Sequence, residues 1–190
     1  MLRELSRDWN GPPVTLRLIG STALMLQSRE FSRRTTDSDV LETSDLAGPV
    51  RAQLLALAGP DTPLAARWRI HLQLVPRGLP FLPHAPMWHE VPIVGLGSLI
   101  RVEALDIVDV LVSKLKRFNA KDRSDIDAMI HRITHESLRD RFAAALDRFC
   151  FDARQDDLPS YIANLNQVER DMFGVAESQF ELPDWVDDGS

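Results

Sequence analysis

The chain has 190 residues, 44% of them hydrophobic, enough for one ordinary domain or two lobes with a buried core. Its formal charge of −6 excludes a protein that coats nucleic acid through a general basic excess, and that charge is unevenly placed: ten acids and two bases fall in residues 151–190, against eighteen acids and twenty bases in residues 1–150. A single cysteine, Cys150, excludes an intrachain disulfide, no apolar run reaches the length of a membrane span, and Met1-Leu2-Arg3-Glu4-Leu5-Ser6-Arg7-Asp8 is an amphipathic start rather than a signal peptide, so a cytoplasmic protein is expected.

In chain order, Leu2–Trp9 is expected to form a short helix, broken by Asn10-Gly11-Pro12-Pro13. Val14–Ile19 has strand character and runs into a Gly20-Ser21 turn, with a helix over Thr22–Gln27 behind it. Such a turn presents unpaired backbone N–H groups to an anion such as phosphate. Arg33-Arg34-Thr35-Thr36-Asp37-Ser38-Asp39-Val40 follows and carries the strongest chemical signal in the chain. Residues i and i+2 of a strand share a face, so Asp37 and Asp39 project together from the start of one. Two carboxylates on one face repel unless a cation lies between them, and Mg²⁺ takes one or two carboxylates and completes its shell with water and phosphate. The competing reading is an ordinary surface Asp-x-Asp pair beside a solvated Arg33-Arg34 turn.

Asp39–Glu42 is assigned to that strand and Leu46–Ala58 to a helix with Pro49 in its first turn. Gly59–Pro63 is expected to be a loop. Trp68–Val75 alternates and is expected to be a strand with Trp68, Ile70, Leu72 and Leu74 toward the core and Arg69, His71 and Gln73 outward. Pro76–Pro86 is a proline-rich connection. Val91–Leu96 and Ile100–Val102 are expected to be two further short strands, giving a mixed lobe of about five strands.

From Ala104 the apolar period becomes helical, with Ile107, Val108, Leu111, Leu115 and Phe118 on one stripe and Lys114, Arg117 and Lys121 on a neighbouring face. The chain has only three lysines, Lys114, Lys116 and Lys121, among 22 cations. Clustered lysines suit phosphate as point charges, whereas a solvated helix face is the plain alternative. If Lys114 is a phosphate clamp, Lys116 lies about 200° around the helix and faces solvent, and neither side chain matters much for thermal stability. Another helix is expected from Asp122, as N-cap with Asp125 in its first turn, followed by helices near Ser137–Phe149, with Cys150 buried just beyond, and Pro159–Phe173. The domain reading is an α/β lobe over 1–103, a helical lobe over 104–176 and an acidic tail over 177–190.

Taken together, Leu18-Ile19-Gly20-Ser21-Thr22-Ala23-Leu24, Arg33-x-Thr35-x-Asp37-x-Asp39, Lys114 and Lys121-Asp122-x-x-Asp125-Ile126 resemble the nucleotidyltransferase superfamily. The likeness is to the branch of AbiEii-type toxins of type IV toxin–antitoxin systems and related small bacterial nucleotidyltransferases. The resemblance implies an α/β (α+β) fold, a mixed sheet flanked by helices and followed by a helical C-terminal part. It implies transfer of a nucleotide from a nucleoside triphosphate to an RNA or protein acceptor, with a cognate antitoxin protein as partner. It further implies Mg²⁺ on Asp37 and Asp39, a triphosphate cradle at Gly20 and Ser21 assisted by Arg33 and Thr35, phosphate contacts from Lys114, Arg117 and Lys121, and a catalytic carboxylate at Asp122 or Asp125. One departure stands out. Members of the superfamily supply a third carboxylate from a later strand, and the outward face of the expected strand here carries Arg69, His71 and Gln73 instead. Gln73 offers a carbonyl ligand and His71 a base near neutral pH, or His71 is a plain surface histidine. The alternative function is therefore a protein on this scaffold that binds a nucleotide or a partner without chemistry.

Overall fold

The structure is a computed structural model that describes residues 1–33, 35–149, 157–175 and 180. Cys150 and, apart from Phe180, the acidic tail from residue 177 lie outside the described residues. The chain divides into two compact units, Met1–Leu79 with Met87–Asp106, and Pro80–Pro86 with Ile107–Ser190.

The first unit holds one five-stranded mixed sheet and four α-helices among the described residues. In chain order these are α1 (Leu2–Asp8), β1 (Val14–Leu18), α2 (Gly20–Gln27), β2 (Asp37–Leu41), α3 (Gly48–Ala58), α4 (Pro63–Trp68), β3 (His71–Val75), β4 (Trp88–Glu90) and β5 (Ile100–Leu105). The strand order is β3-β2-β1-β5-β4. β1 pairs antiparallel with β2 and parallel with β5, and β2 pairs parallel with β3. Strand alternation sorts the sheet into two faces. Val14, Leu16, Leu18, Val40, Leu72, Ile100 and Val102 bury against Leu5 and Trp9 from α1 and Leu54 and Ala58 from α3, forming one core. Arg17, Asp37, Asp39, His71, Gln73, Arg101 and Glu103 lie on the opposite, polar face by the same register.

Several sequence expectations are corrected here. Trp68 does not start a strand or enter the core. Pro63 opens a short helix whose N-cap Thr62 accepts a hydrogen bond from the Ala65 N–H at 3.2 Å, and that helix ends at Arg69 in left-handed backbone (φ 54°). Trp68 is left 49% exposed. Arg69 is therefore a helix cap, and only His71 and Gln73 keep the expected outward strand positions. Val91–Leu96 is not a strand either. β4 ends before it, Pro92 has no N–H to donate to a ladder, and Gly95 turns the chain at φ 79°. β5 in turn extends through Leu105, beyond the expected Val102, because its parallel register with β1 continues to Ala104. Gly20 and Ser21, expected to form a turn, are the first residues of α2.

The second unit contains α5 (Ile107–Leu115), α6 (Ala120–Met129), α7 (His135–Phe149) and α8 (Leu158–Phe173). Phe81, from the short 80–86 segment, is fully buried there. Its ring centroid lies 5.3 Å from Phe142, 5.3 Å from Phe149 and 5.1 Å from Tyr161. α5 and α6 are separate helices, parted by Phe118 in left-handed backbone (φ 44°). Asn119, not Asp122, caps α6: its side-chain oxygen accepts the Asp122 N–H at 2.9 Å. No helix among the described residues is long and apolar enough to cross a membrane.

Candidate active site

Asp37 and Asp39 stand two residues apart on β2, both half-buried and on the polar face. Thr35, just before the strand, fixes the first of them: its hydroxyl donates to Asp37 Oδ1 at 2.7 Å, with Oγ1 also 3.0 Å from the Asp37 backbone oxygen. The second is fixed by sheet continuation. Beyond the end of β1, the Ile19 N–H donates to the Asp39 carbonyl at 2.9 Å. The very next residue, Gly20, takes a left-handed conformation (φ 63°) and opens α2. A side chain there would place its Cβ 3.1 Å from Asp39 Oδ2. Glycine is thus required twice, for the backbone turn and for the approach of the carboxylate. Ser21 follows at the start of α2, so the two motif halves separated in sequence meet at one place.

The parallel register sets His71 beside Asp37 and Gln73 beside Asp39 on the same face. Gln73 is exposed and His71 half-buried. The donor set that β2 and β3 offer here is therefore two carboxylates, one amide carbonyl and one imidazole, while Glu103, on β5 of the same face, is held by Arg17 at 2.9 Å. Among the described residues no group of three or more His, Cys, Asp or Glu side chains is placed to hold a metal. Two carboxylates with an amide oxygen beside them, and a bare Cα in place of a wall, suit a hard cation that keeps part of its shell for water and phosphate.

Lys114, Asp122 and Asp125 belong to the second unit, and the structure ties them to one another. Lys114 is 7% exposed and its ammonium lies 2.7 Å from Asp125 Oδ2 and 3.4 Å from Asp122 Oδ1. Asp122 is gripped a second time by Arg117, whose Nε and Nη2 donate at 2.9 and 3.1 Å. Burial alone would raise the Asp122 pKa, but the Arg117 hydrogen bonds, the charges of Lys114 and Arg117 and the Asn119 backbone N–H outweigh it and hold it below the ordinary carboxylate value. Lys121 does not share a helix face with Lys114, because the break at Phe118 puts it on α6, where it is exposed. Lys116 is half-buried, with its ammonium 6.0 Å from the Phe149 ring. Arg33, expected at the phosphate, is half-buried in the segment before β2.

Sequence reasoning missed two buried charges, Asp109 on α5 and Glu169 on α8, the latter 2.8 Å from His135 and 3.4 Å from Arg139. Asp109 is fully buried on α5 and receives two hydrogen bonds from Arg141, at 2.7 and 2.8 Å, while Arg141 also donates to the Ala85 carbonyl at 2.9 Å. The signal was an aspartate inside the apolar run Ile107–Val112, which only a paired charge tolerates.

Residues 3–170 match the model of a family described as nucleotidyltransferase of unknown function, DUF6036. No curated protein and no solved structure matches the chain.

Proposed function

The chain belongs to that nucleotidyltransferase family, and from this premise we propose that it transfers a nucleotide from a nucleoside triphosphate to an RNA or protein acceptor. The observation that carries the reading is the meeting of Gly20 with Asp39 on the strand face that also bears Asp37. In this reading an acceptor oxygen bonds to the α-phosphorus as the bond to the β-phosphate oxygen breaks, and pyrophosphate leaves with the electron pair. Asp37 and Asp39 hold Mg²⁺, which neutralises phosphate charge and orients the leaving group. The N–H groups of Gly20 and Ser21, at the start of α2, bind triphosphate oxygens. Thr35 keeps the Asp37 carboxylate in place, and Arg33 adds positive charge nearby. His71, beside Asp37, takes the acceptor's proton.

Lys114, Arg117, Asp122 and Asp125 form a preassembled ionic set of the helical unit, and Lys121 lies exposed on α6. The finer reading, an AbiEii-type toxin acting in the cytoplasm with a cognate antitoxin, draws its support from the order of motifs from Gly20 to Ile126. A second reading, nucleotide or partner binding without transfer, is favoured by one observation. β3 sets His71 and Gln73, rather than an acid, opposite the two aspartates.

The test is incubation of the protein with each labelled nucleoside triphosphate, Mg²⁺, and total RNA or cell extract. Label transfer that disappears in Asp39→Asn supports the first reading. Mg²⁺-strengthened nucleotide binding without transfer supports the second. Neither binding nor transfer sinks both.

A further inference from the structure

Ser38 sits between Asp37 and Asp39 but points to the other face of the sheet. It is 1% exposed, and its hydroxyl has no hydrogen-bond partner among the described residues. A buried polar group left unpaired is uncommon. Ser38 lines a cavity of about 390 Å³ within the first unit, whose other walls are mostly apolar, Leu26, Ile70 and Ile93 among them. That volume lies in the range of small-molecule sites, which are characteristically apolar with a few polar groups. Two charged side chains border it, Arg3 and Glu4. The Glu4 charge is already matched, by Arg67 at 3.1 Å and the Trp68 indole N–H at 2.9 Å. Arg3 makes no ion pair among the described residues, so a guanidinium without an ionic partner borders the apolar cavity.

We propose that this cavity is a binding site for a small apolar carboxylate of medium-chain or aryl size, its hydrocarbon body against Leu26, Ile70 and Ile93 and its anionic end at Arg3. The apolar walls exclude a sugar or a nucleotide, whose polar groups would lose water without partners. The unmatched guanidinium selects an acid over an alcohol. Thr22, two residues after Gly20, lines the same space. If the chain is the nucleotidyltransferase proposed above, the ligand touches the reverse side of both segments that position the nucleotide, and its binding is coupled to nucleotide affinity.

The binding claim is tested without reference to nucleotide chemistry. The whole chain is titrated with 1-anilinonaphthalene-8-sulfonate, followed by fluorescence, and the dye is then displaced with octanoate or octanol. One saturable site is expected, with octanoate displacing the dye at lower concentration than octanol. Leu26→Trp, which fills the cavity, should weaken dye binding by at least about tenfold with an unchanged circular dichroism spectrum, and Ile93→Trp does the same from another wall should the first variant fail to fold. Arg3→Gln should weaken octanoate by about tenfold and leave octanol unaltered, the scale of a lost charge-assisted hydrogen bond. Multi-site or unsaturable dye binding, or full affinity in a folded cavity-filling variant, overturns the site. Equal loss of octanoate and octanol in Arg3→Gln overturns the carboxylate.

Discussion

In the first unit Asp37 and Asp39 stand half-buried on a sheet face, steadied by a threonine hydroxyl and approached by the bare Cα of Gly20. In the second unit Asp122 and Asp125 are each 1% exposed and sealed with their own cations, Lys114 and Arg117. Both places pair two carboxylates at short sequence spacing, so spacing alone does not separate them. The surroundings do. Carboxylates enclosed with matching cations form a neutral set whose loss is felt as instability, whereas half-buried carboxylates on a sheet face stay within reach of something that arrives from outside.

The sharpest way to break this contrast is Lys114→Ala. It leaves Asp125 buried without the ammonium at 2.7 Å, and should lower the unfolding free energy in urea by about 3–5 kcal/mol. This reverses the expectation from sequence that the lysine matters little for stability. The double variant Lys114→Met with Asp125→Leu should recover most of the loss, because no buried charge then remains unpaired. A single variant with an unshifted midpoint would place Lys114 among the functional cations rather than the structural ones.

Asp39→Asn probes the other side of the contrast. Nucleotidyl transfer should fall by about a hundredfold or more, the cost of removing a principal electrostatic group, while urea stability moves by no more than about 0.5 kcal/mol. A large stability change in this variant would make the two carboxylate groups alike and undo the comparison.

Gly20→Ala should cost about 1–2 kcal/mol through its left-handed backbone, and should weaken Mg²⁺-dependent nucleotide binding because its Cβ meets Asp39 Oδ2 at 3.1 Å. Gly48→Ala is the control. Gly48 has φ 54° with nothing within 4 Å of an added Cβ, so it should show similar strain in urea melts with unchanged binding by calorimetry.

The smallest expected effect concerns acid. The folded-state pKa of Asp122 is depressed, so its contribution is fully present above the ordinary value of 3.8 and is lost as pH falls through the lower folded value. Arg117→Gln should flatten that acid limb in a series of melts below pH 4.

Much of this arrangement was legible in the residues, for identifiable reasons. The i, i+2 spacing of Asp37 and Asp39 and the Gly20-Ser21 break sit in strongly patterned segments, and the α5 stripe follows one clear period. Trp68 was misread because three residues of alternation fit either a strand or the end of a helix. The deciding signal was upstream, in Thr62-Pro63, a cap followed by a proline at the first helical position. Asp122 was read as the N-cap although Asn119, three residues earlier, is of a residue type that caps as strongly. The pairing of Lys114 with Asp125 could not be read locally, since it depends on the turn at Phe118 that folds α6 back along α5. The unmatched hydroxyl of Ser38 is likewise visible only once both faces of the sheet are assigned.

The 80–86 segment carries a lesson about the order in which the protein is made. Phe81 is the aromatic centre of the helical unit, yet it is synthesised before β5 of the sheet unit and well before Phe142, Phe149 and Tyr161, the rings it packs on. On a growing chain this large apolar side chain must wait without its partners until α7 and α8 have emerged. A fragment starting at Ile107 would contain α5 to α8 and still lack the ring at their middle. Genetic dissection that cuts this chain in two should therefore carry residues 80–86 along with the helices.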